Sequence, residues 1–346
     1  MKKIVFFLII FLIPAMVYAD SGKSTIIMDV NSGRILYQKN INEQQLIAST
    51  TKIMTCIVVL ENSDINKEIV VGDEVLSMYG TNIYIEPGEK LKILDLLYGL
   101  MLRSGNDAAI TLAVNTLGEE KFIDKMNEKA RELGMNNTIF NNPHGLDEKT
   151  QNYSTAYDMA LLSKYAYKNS IYRKIIYTKK YVTKSSIKSY VWYNRMGLLN
   201  EYKNCIGGKN GYTPKAGKSL VSYAKKDNLI LTIISLNDSS IYQNHKNLYN
   251  KYFSLYNNYK IVEKGNLYIN GEEYYINKDF KYPLTIKEKN NISTLVKINS
   301  KSFDKKIGKI EIRLDNSIIG NIDVYKKNKI KKENKSLFKK IINLFN

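Results

Sequence analysis

The sequence predicts a mixed α/β fold of the α+β kind, with an antiparallel sheet and a helical cluster, followed by a small all-β domain. Three observations predict it. Strand-like runs stand near residue 25 and again up to residue 236, with helical segments between them. From about Ile261 to Tyr325 short β-rich runs alternate with Asn-Gly, Pro and charged turns. The last stretch, residues 326–346, carries eight lysines against one glutamate, with apolar residues gathered on one helical face.

Along the chain, Met1-Lys2-Lys3, an apolar run from Ile4 to Val17 and a small-residue exit at Ala19 read as a signal peptide over residues 1–19. The apolar run is shorter than the roughly 20 residues a spanning helix needs. Thr25 to Val30 and Ile35 to Gln38, joined around Asn31-Ser32-Gly33, form a predicted hairpin. Helices are predicted over Thr50 to Glu61, Ile93 to Leu102, Asp107 to Leu117 and Glu120 to Leu133. Thr155-Ala156-Tyr157-Asp158 opens a further helix with a capping signal. Ser219 to Ala224 and Leu229 to Leu236, turning at Asp227-Asn228, are strands. The expected division is a large domain over 20–258, a β-rich domain over 259–325 and a basic amphipathic tail over 326–346 that lies on a membrane surface.

Net charge is +19, falling to +17 once Lys2 and Lys3 leave with the signal peptide. An exported basic chain meets anionic lipid head groups and wall polymers, so no nucleic-acid partner is expected. The expected location is the outer face of the cytoplasmic membrane or the cell wall. An abundance of Lys, Asn and Ile over Arg fits an AT-rich genome as well as it fits a polyanion. Cys56 and Cys205 are far apart and read as thiols rather than a bridge, and His144 and His245 are isolated. No metal or other cofactor is therefore expected.

The chemistry is carried by three short elements. Ser49 and Lys52 are three residues apart at the opening of a helix, about one turn, so hydroxyl and amine share a face. An amine pushed toward neutrality by burial and a second positive charge can take the proton of a serine hydroxyl. Ser104-Gly105-Asn106 falls at a break between two helical runs, and Lys209-Asn210-Gly211-Tyr212 precedes a strand. Ser-x-x-Lys, Ser-x-Asn and Lys-x-Gly in this order form the signature of serine penicillin-recognising enzymes.

On these motifs, with Glu86-Pro87-Gly88-Glu89, Asn142-Pro143-His144-Gly145-Leu146 and Tyr153-Ser154-Thr155-Ala156, the chain resembles the low-molecular-mass penicillin-binding proteins, serine-type D-alanyl-D-alanine carboxypeptidases. The resemblance is strong over residues 24–236. It implies a serine β-lactamase/DD-peptidase-like catalytic domain that trims peptidoglycan stem peptides and is acylated by β-lactams. It also implies roles: Ser49 as nucleophile, Lys52 as general base beside positive Lys209, Ser104 as proton relay, Asn106 on the substrate amide, and the backbone N–H groups of Ser49 and Tyr212 as the oxyanion hole. His144 is read as structural.

Two departures from the family pattern stand out. Asn210 replaces a threonine that helps bind the substrate's terminal carboxylate. The stretch 237–248 lacks the arginine often found there, leaving Lys246 or His245 as replacements. Weakened or altered carboxylate recognition is the expectation. A D,D-endopeptidase, a wall-binding homologue without turnover and a class A β-lactamase are the competing readings; Gly105 stands where the last usually has aspartate.

Overall fold

A computed structural model describes residues 20–299 and 305–326. The signal-peptide reading of 1–19 and the amphipathic reading of the tail beyond Lys326 lie outside the described residues. The chain divides between Ser254 and Leu255 into two compact units.

The first unit is built on a five-stranded antiparallel sheet. Its strands are β1 (Gly22–Asp29), β2 (Ile35–Lys39), β3 (Cys205–Thr213), β4 (Gly217–Lys226) and β5 (Leu229–Asp238), in the order β2-β1-β5-β4-β3. The register pairs Ile26 with Ile234 and Val221 with Ile234, so apolar side chains line up across the three central strands. β3 forms one edge. The long excursion between β2 and β3 supplies helices α1 (Lys52–Asn62), α2 (Ile93–Tyr98), α3 (Asn106–Thr116), α4 (Glu119–Glu132), α5 (Ala156–Ala166) and α6 (Ser170–Tyr177), and α7 (Ile241–Leu255) follows β5.

Helix α1 is the centre of this unit. Ile53, Met54, Cys56, Ile57, Val58 and Val59 are all at most 1% exposed, so the helix is buried on every side. Its β-branched residues cost a few tenths of a kcal/mol each in helix propensity, whereas burying each side chain contributes about 1.5–3 kcal/mol; burial wins. A four-residue 3-10 turn, Ala48–Thr51, leads into α1. Helix α4 carries Glu119 and Glu120 in its first turn and Lys129 and Arg131 in its last, as the helix dipole favours. The Thr155 hydroxyl accepts the Asp158 N–H at 3.0 Å and starts α5.

Ser222 and Tyr223 are neighbours on β4 and so point to opposite faces of the sheet. The Tyr223 hydroxyl donates to the Ser163 carbonyl of α5 at 2.9 Å, while Ser222 meets His245 of α7 at 2.7 Å. Helices α5 and α7 therefore cover opposite faces. Sequence periodicity gave no helix at α7, because its buried side includes Asn244 and His245 among Leu248, Tyr249 and Phe253. The hairpin Lys180–Lys184 with Ser189–Tyr193 also went unpredicted; its alternation is carried by Tyr190 and Trp192, which pack against each other.

The second unit holds a five-stranded antiparallel sheet, in the order Gly265–Ile269, Glu272–Ile276, Ser317–Lys326, Lys306–Leu314, Ile292–Ile298, and a separate pair, Asn257–Val262 with Phe280–Leu284. It has its own core of Val262, Tyr274, Ile276, Ile307, Ile310, Ile312, Ile322 and Val324.

Gly145 and Gly88 share nearly the same backbone, φ 88° and 87°. A methyl group on Gly145 would lie 2.0 Å from the Ala48 carbonyl oxygen, whereas nothing lies within 4 Å of one on Gly88. Gly145→Ala is expected to lose about 2–3 kcal/mol more stability than Gly88→Ala, measured by urea unfolding midpoints. Equal losses would show that the approach of this loop to Ala48 costs nothing.

Candidate active site

Four elements converge on the Lys52 amine. Lys52 opens α1, is wholly buried, and its Nζ lies 3.0 Å from Ser49 Oγ, 2.7 Å from Asn106 Oδ1 and 2.5 Å from the His144 carbonyl oxygen. Burial drives the amine well below its ordinary range, and the positive charge of Lys209 pushes in the same direction. A neutral amine has two N–H donors and one lone pair. With the two carbonyl oxygens taking the donors, the lone pair faces the Ser49 hydroxyl.

The Ser49 turn is held in a strained form. Ala48 sits at φ 45°, an uncommon region for a residue with a side chain. Two glycines permit it. Gly145 packs its bare α-carbon on the Ala48 carbonyl, and a methyl group on Gly211 of β3 would lie 2.9 Å from the Ser49 nitrogen and 3.1 Å from that of Thr50. The edge strand thus runs directly against the backbone amide of Ser49.

The loop carrying His144 is fixed by a grip one turn long on α1. Lys52 donates to the His144 carbonyl and Thr55 to the Pro143 carbonyl at 2.6 Å, so residues three apart hold consecutive peptide groups. Asn142 Oδ1 accepts the N–H groups of His144 and Gly145, and Asn152 donates to Thr51 and to the Asn142 carbonyl, each at 3.0 Å. The His144 ring is neutral, pushed down to about 3 by burial and by Lys52. Its Nδ1 accepts the Leu146 N–H.

Ser104 and Asn106 lie at a helix break. The predicted helix over Ile93 to Leu102 is α2 followed by a single wide turn, Gly99–Arg103, and Ser104 then adopts φ 66°. Helix α3 starts at Asn106, which is 2% exposed. Its amide is engaged at both ends: Oδ1 with Lys52, and Nδ2 donating to the Tyr79 carbonyl at 2.7 Å. Asn106, expected to hold a substrate amide, here also accepts a hydrogen bond from Lys52 and so helps orient that amine. Asp107 accepts the backbone N–H groups of Ile83 and Tyr84 and fastens the loop before α2 to the start of α3. Ser104 is half-buried, and its hydroxyl has no hydrogen-bond partner among the described residues.

Lys209 is 1% exposed on β3 and donates to the Asn210 carbonyl at 2.5 Å. Burial, helped by the charge of Arg195, pulls it down to about 7. Asn210 is half-buried, Gly211 buried and Tyr212 63% exposed. The two proposed stand-ins for the missing arginine are both engaged within the fold. His245 is fully buried, its ring nitrogens bonded to Ser222 and Ser235 at 2.7 and 2.8 Å, and Lys246 is paired with Glu201 at 2.9 Å. Both sit on α7, which was not foreseen, and its register turns His245 into the sheet. Sequence reasoning also passed over the His144 carbonyl, Asp107 and Arg195. The Pro-His-Gly turn was a signal for the first; a backbone role leaves no side-chain signature. Cys56 and Cys205 are free and buried.

The sequence pattern of a family described as D-alanyl-D-alanine carboxypeptidase, Peptidase_S11, matches residues 15–240. The chain is 38% identical over 218 residues to the D-alanyl-D-alanine carboxypeptidase DacF of Bacillus subtilis, covering 61% of this chain but only 56% of DacF. Among solved structures, the D-alanyl-D-alanine carboxypeptidase of Mycobacterium tuberculosis is similar with a TM-score of 0.66 at 29% identity, covering 69% of this chain and 93% of that one. The carboxypeptidase DacD of Francisella tularensis is similar with a TM-score of 0.71 at 25% identity, covering 95% and 96%.

With Lys209 at about 7, acylation of Ser49 by the anion benzylpenicillin is expected to slow as pH rises past that point, because a lysine whose proton leaves takes its positive charge with it. Lys209→Arg, always charged, should carry the decline to higher pH. The measurement is the acylation rate by intact-protein mass across pH. A rate that keeps climbing above 7 in the unaltered protein contradicts this.

Proposed function

Since the chain belongs to the D-alanyl-D-alanine carboxypeptidase family over residues 15–240, we propose that it is a serine-type carboxypeptidase that removes the terminal D-alanine of peptidoglycan stem peptides through a Ser49 acyl-enzyme. The observation that carries this reading is the Lys52 amine with two carbonyl acceptors and a serine hydroxyl, none of its contacts a carboxylate. Burial and the Lys209 charge outweigh the opposing pull of the Asp107 carboxylate, so the amine is fit to act as a base at neutral pH.

In the proposed reaction Ser49 Oγ attacks the carbonyl carbon of the penultimate D-alanine while its proton passes to Lys52 Nζ. The developing oxyanion is stabilised by the backbone N–H groups of Ser49 and Tyr212, a reading supported by the close approach of Gly211, the neighbour of Tyr212, to the Ser49 nitrogen. The proton then moves to the nitrogen of the departing D-alanine, with Ser104, unengaged and half-buried, as its relay. Water attacks the ester carbonyl, Lys52 takes the water's proton, and Ser49 leaves as its hydroxyl. Lys209 supplies positive potential over the anionic substrate and keeps Lys52 neutral. A β-lactam enters by the same acylation and is held as an ester.

Export by residues 1–19 and attachment of the 326–346 tail to a membrane surface belong to the same proposal. Both suit a substrate found outside the cell, and the tail's lysines suit anionic head groups.

Purified protein lacking residues 1–19 should release D-alanine from a pentapeptide ending D-Ala-D-Ala. Ser49→Ala should release none while unfolding at the same denaturant concentration. Release by Ser49→Ala at the unaltered rate would remove Ser49 from the reaction.

A further inference from the structure

The turn Glu86-Pro87-Gly88-Glu89 ends a stretch that also carries the two backbone acceptors of Asn106. Among the described residues no helix or strand lies between Ser77 and Lys90, so no ladder or helical turn fixes the register of this stretch. At one end it meets α3. The Asn106 side-chain amide donates to the Tyr79 carbonyl at 2.7 Å, the Asn106 backbone N–H to the Thr81 carbonyl at 2.8 Å, and the Asp107 N–H to Asn82 Oδ1 at 3.2 Å. Ile83 and Ile85 turn inward and are buried, which leaves Tyr84 exposed between them. Tyr84 adopts φ 61°, a left-handed conformation that a residue with a side chain keeps only where its surroundings over-determine it. Here both of its peptide groups are held. Its N–H donates to Asp107 at 2.7 Å, and its carbonyl accepts from Lys188 Nζ at 2.9 Å. Lys188 stands near the tip of the hairpin formed by Lys180–Lys184 and Ser189–Tyr193. Its amine also pairs with Glu86 at 2.5 Å and Glu89 at 3.1 Å, so all three of its donors are spent on this one stretch. Glu89 is wholly buried and further accepts the Glu86 N–H at 3.0 Å and the Tyr190 hydroxyl at 2.7 Å.

We propose that Glu89 and Lys188 are positioning residues for the acylation of Ser49: they hold the Tyr84 carbonyl so that the 79–85 loop keeps the register in which Asn106 presents its acceptor to Lys52. The inference deepens the carboxypeptidase reading and rests on it. The path runs from Glu89 to Lys188, through the Tyr84 backbone to the Tyr79 and Thr81 carbonyls, and from Asn106 Oδ1 to Lys52 Nζ. A buried carboxylate is costly unless donors surround it. Glu89 gathers an ammonium, a phenol hydroxyl and a backbone N–H, and in doing so ties the hairpin to the turn. Without the Lys188 ammonium the Tyr84 carbonyl loses its donor, and the left-handed residue is held from the Asp107 side alone. The loop then slackens where Asn106 finds its two backbone acceptors. A less firmly oriented Lys52 slows a proton transfer that depends on near-attack geometry.

Acylation by benzylpenicillin, followed by intact-protein mass over a range of concentrations, tests this together with backbone hydrogen exchange. Lys188→Met keeps the stem and removes the charge. It should lower the limiting acylation rate about tenfold, leave the half-saturating penicillin concentration within about twofold, and speed exchange over residues 79–85 and at Asn106. Lys188→Arg, which restores charged donors, should recover most of the rate. Tyr190→Phe removes one hydroxyl from Glu89 and should slow acylation about threefold; it carries the test if Lys188→Met does not fold. Asp158→Asn is the control for a merely structural effect. Asp158 is another buried carboxylate, at the start of α5, and accepts the Asn137 N–H and the Thr138 hydroxyl, each at 2.8 Å. This variant should lower the unfolding midpoint and leave acylation within about twofold. A Lys188→Met protein that acylates at the unaltered rate, or loses no more than Asp158→Asn, or loses only in half-saturating concentration, overturns the assignment and leaves the carboxypeptidase reading intact. An unaltered protein that takes up no penicillin overturns both.

Discussion

The site depends on one buried amine that has nothing negative to pair with. Lys52 begins a helix enclosed on all sides by apolar residues, so its charge has no access to water and no carboxylate within hydrogen-bond distance. A protein of ordinary marginal stability cannot bury an unpaired ammonium, so the group sheds its proton instead. The two carbonyl oxygens then decide which way the neutral amine faces. If Lys52 kept three N–H donors, the third would point at Ser49 and block the proton transfer that acylation needs.

Much of the unit's architecture serves to place those two carbonyls and the serine. The wide turn at Gly99–Arg103 and the left-handed Ser104 turn Asn106 inward at the first residue of α3, and irregular turns of this kind recur at functional sites. Asp107, raised by its own burial, spends its oxygens on backbone N–H groups, and its pull toward a charged Lys52 is outweighed by the burial of the amine. The loop at 142–145 is bound twice to α1 and braced by two asparagines. These contacts make Lys52 orientation a property of the packed core rather than of a mobile side chain.

Motif order and spacing made Ser49, Lys52, Ser104, Asn106 and Lys209 legible in the sequence, since each is a reactive type at a recognisable interval. The central sheet was legible where apolar runs and a turn flank it, as at Leu229 to Leu236. Three features were not. The His144 carbonyl acts through the backbone, which every residue possesses. Helix α7 hides its periodicity because its buried face carries Asn244 and His245, satisfied by Asp238 and by two serines of the sheet. Lys188 is one lysine among many, and only the fold sets it beside Glu86 and Glu89.

The most direct test of the neutral amine is Lys52→Arg, which keeps nitrogen donors at the end of a long side chain, in a larger planar group, but holds its proton at every accessible pH. Benzylpenicillin added to unaltered protein should give a single adduct on the peptide containing Ser49, seen by mass spectrometry after digestion. Lys52→Arg, folded to the same extent by circular dichroism, should give none on the same timescale. An adduct forming on Lys52→Arg as fast as on the unaltered chain would contradict the account.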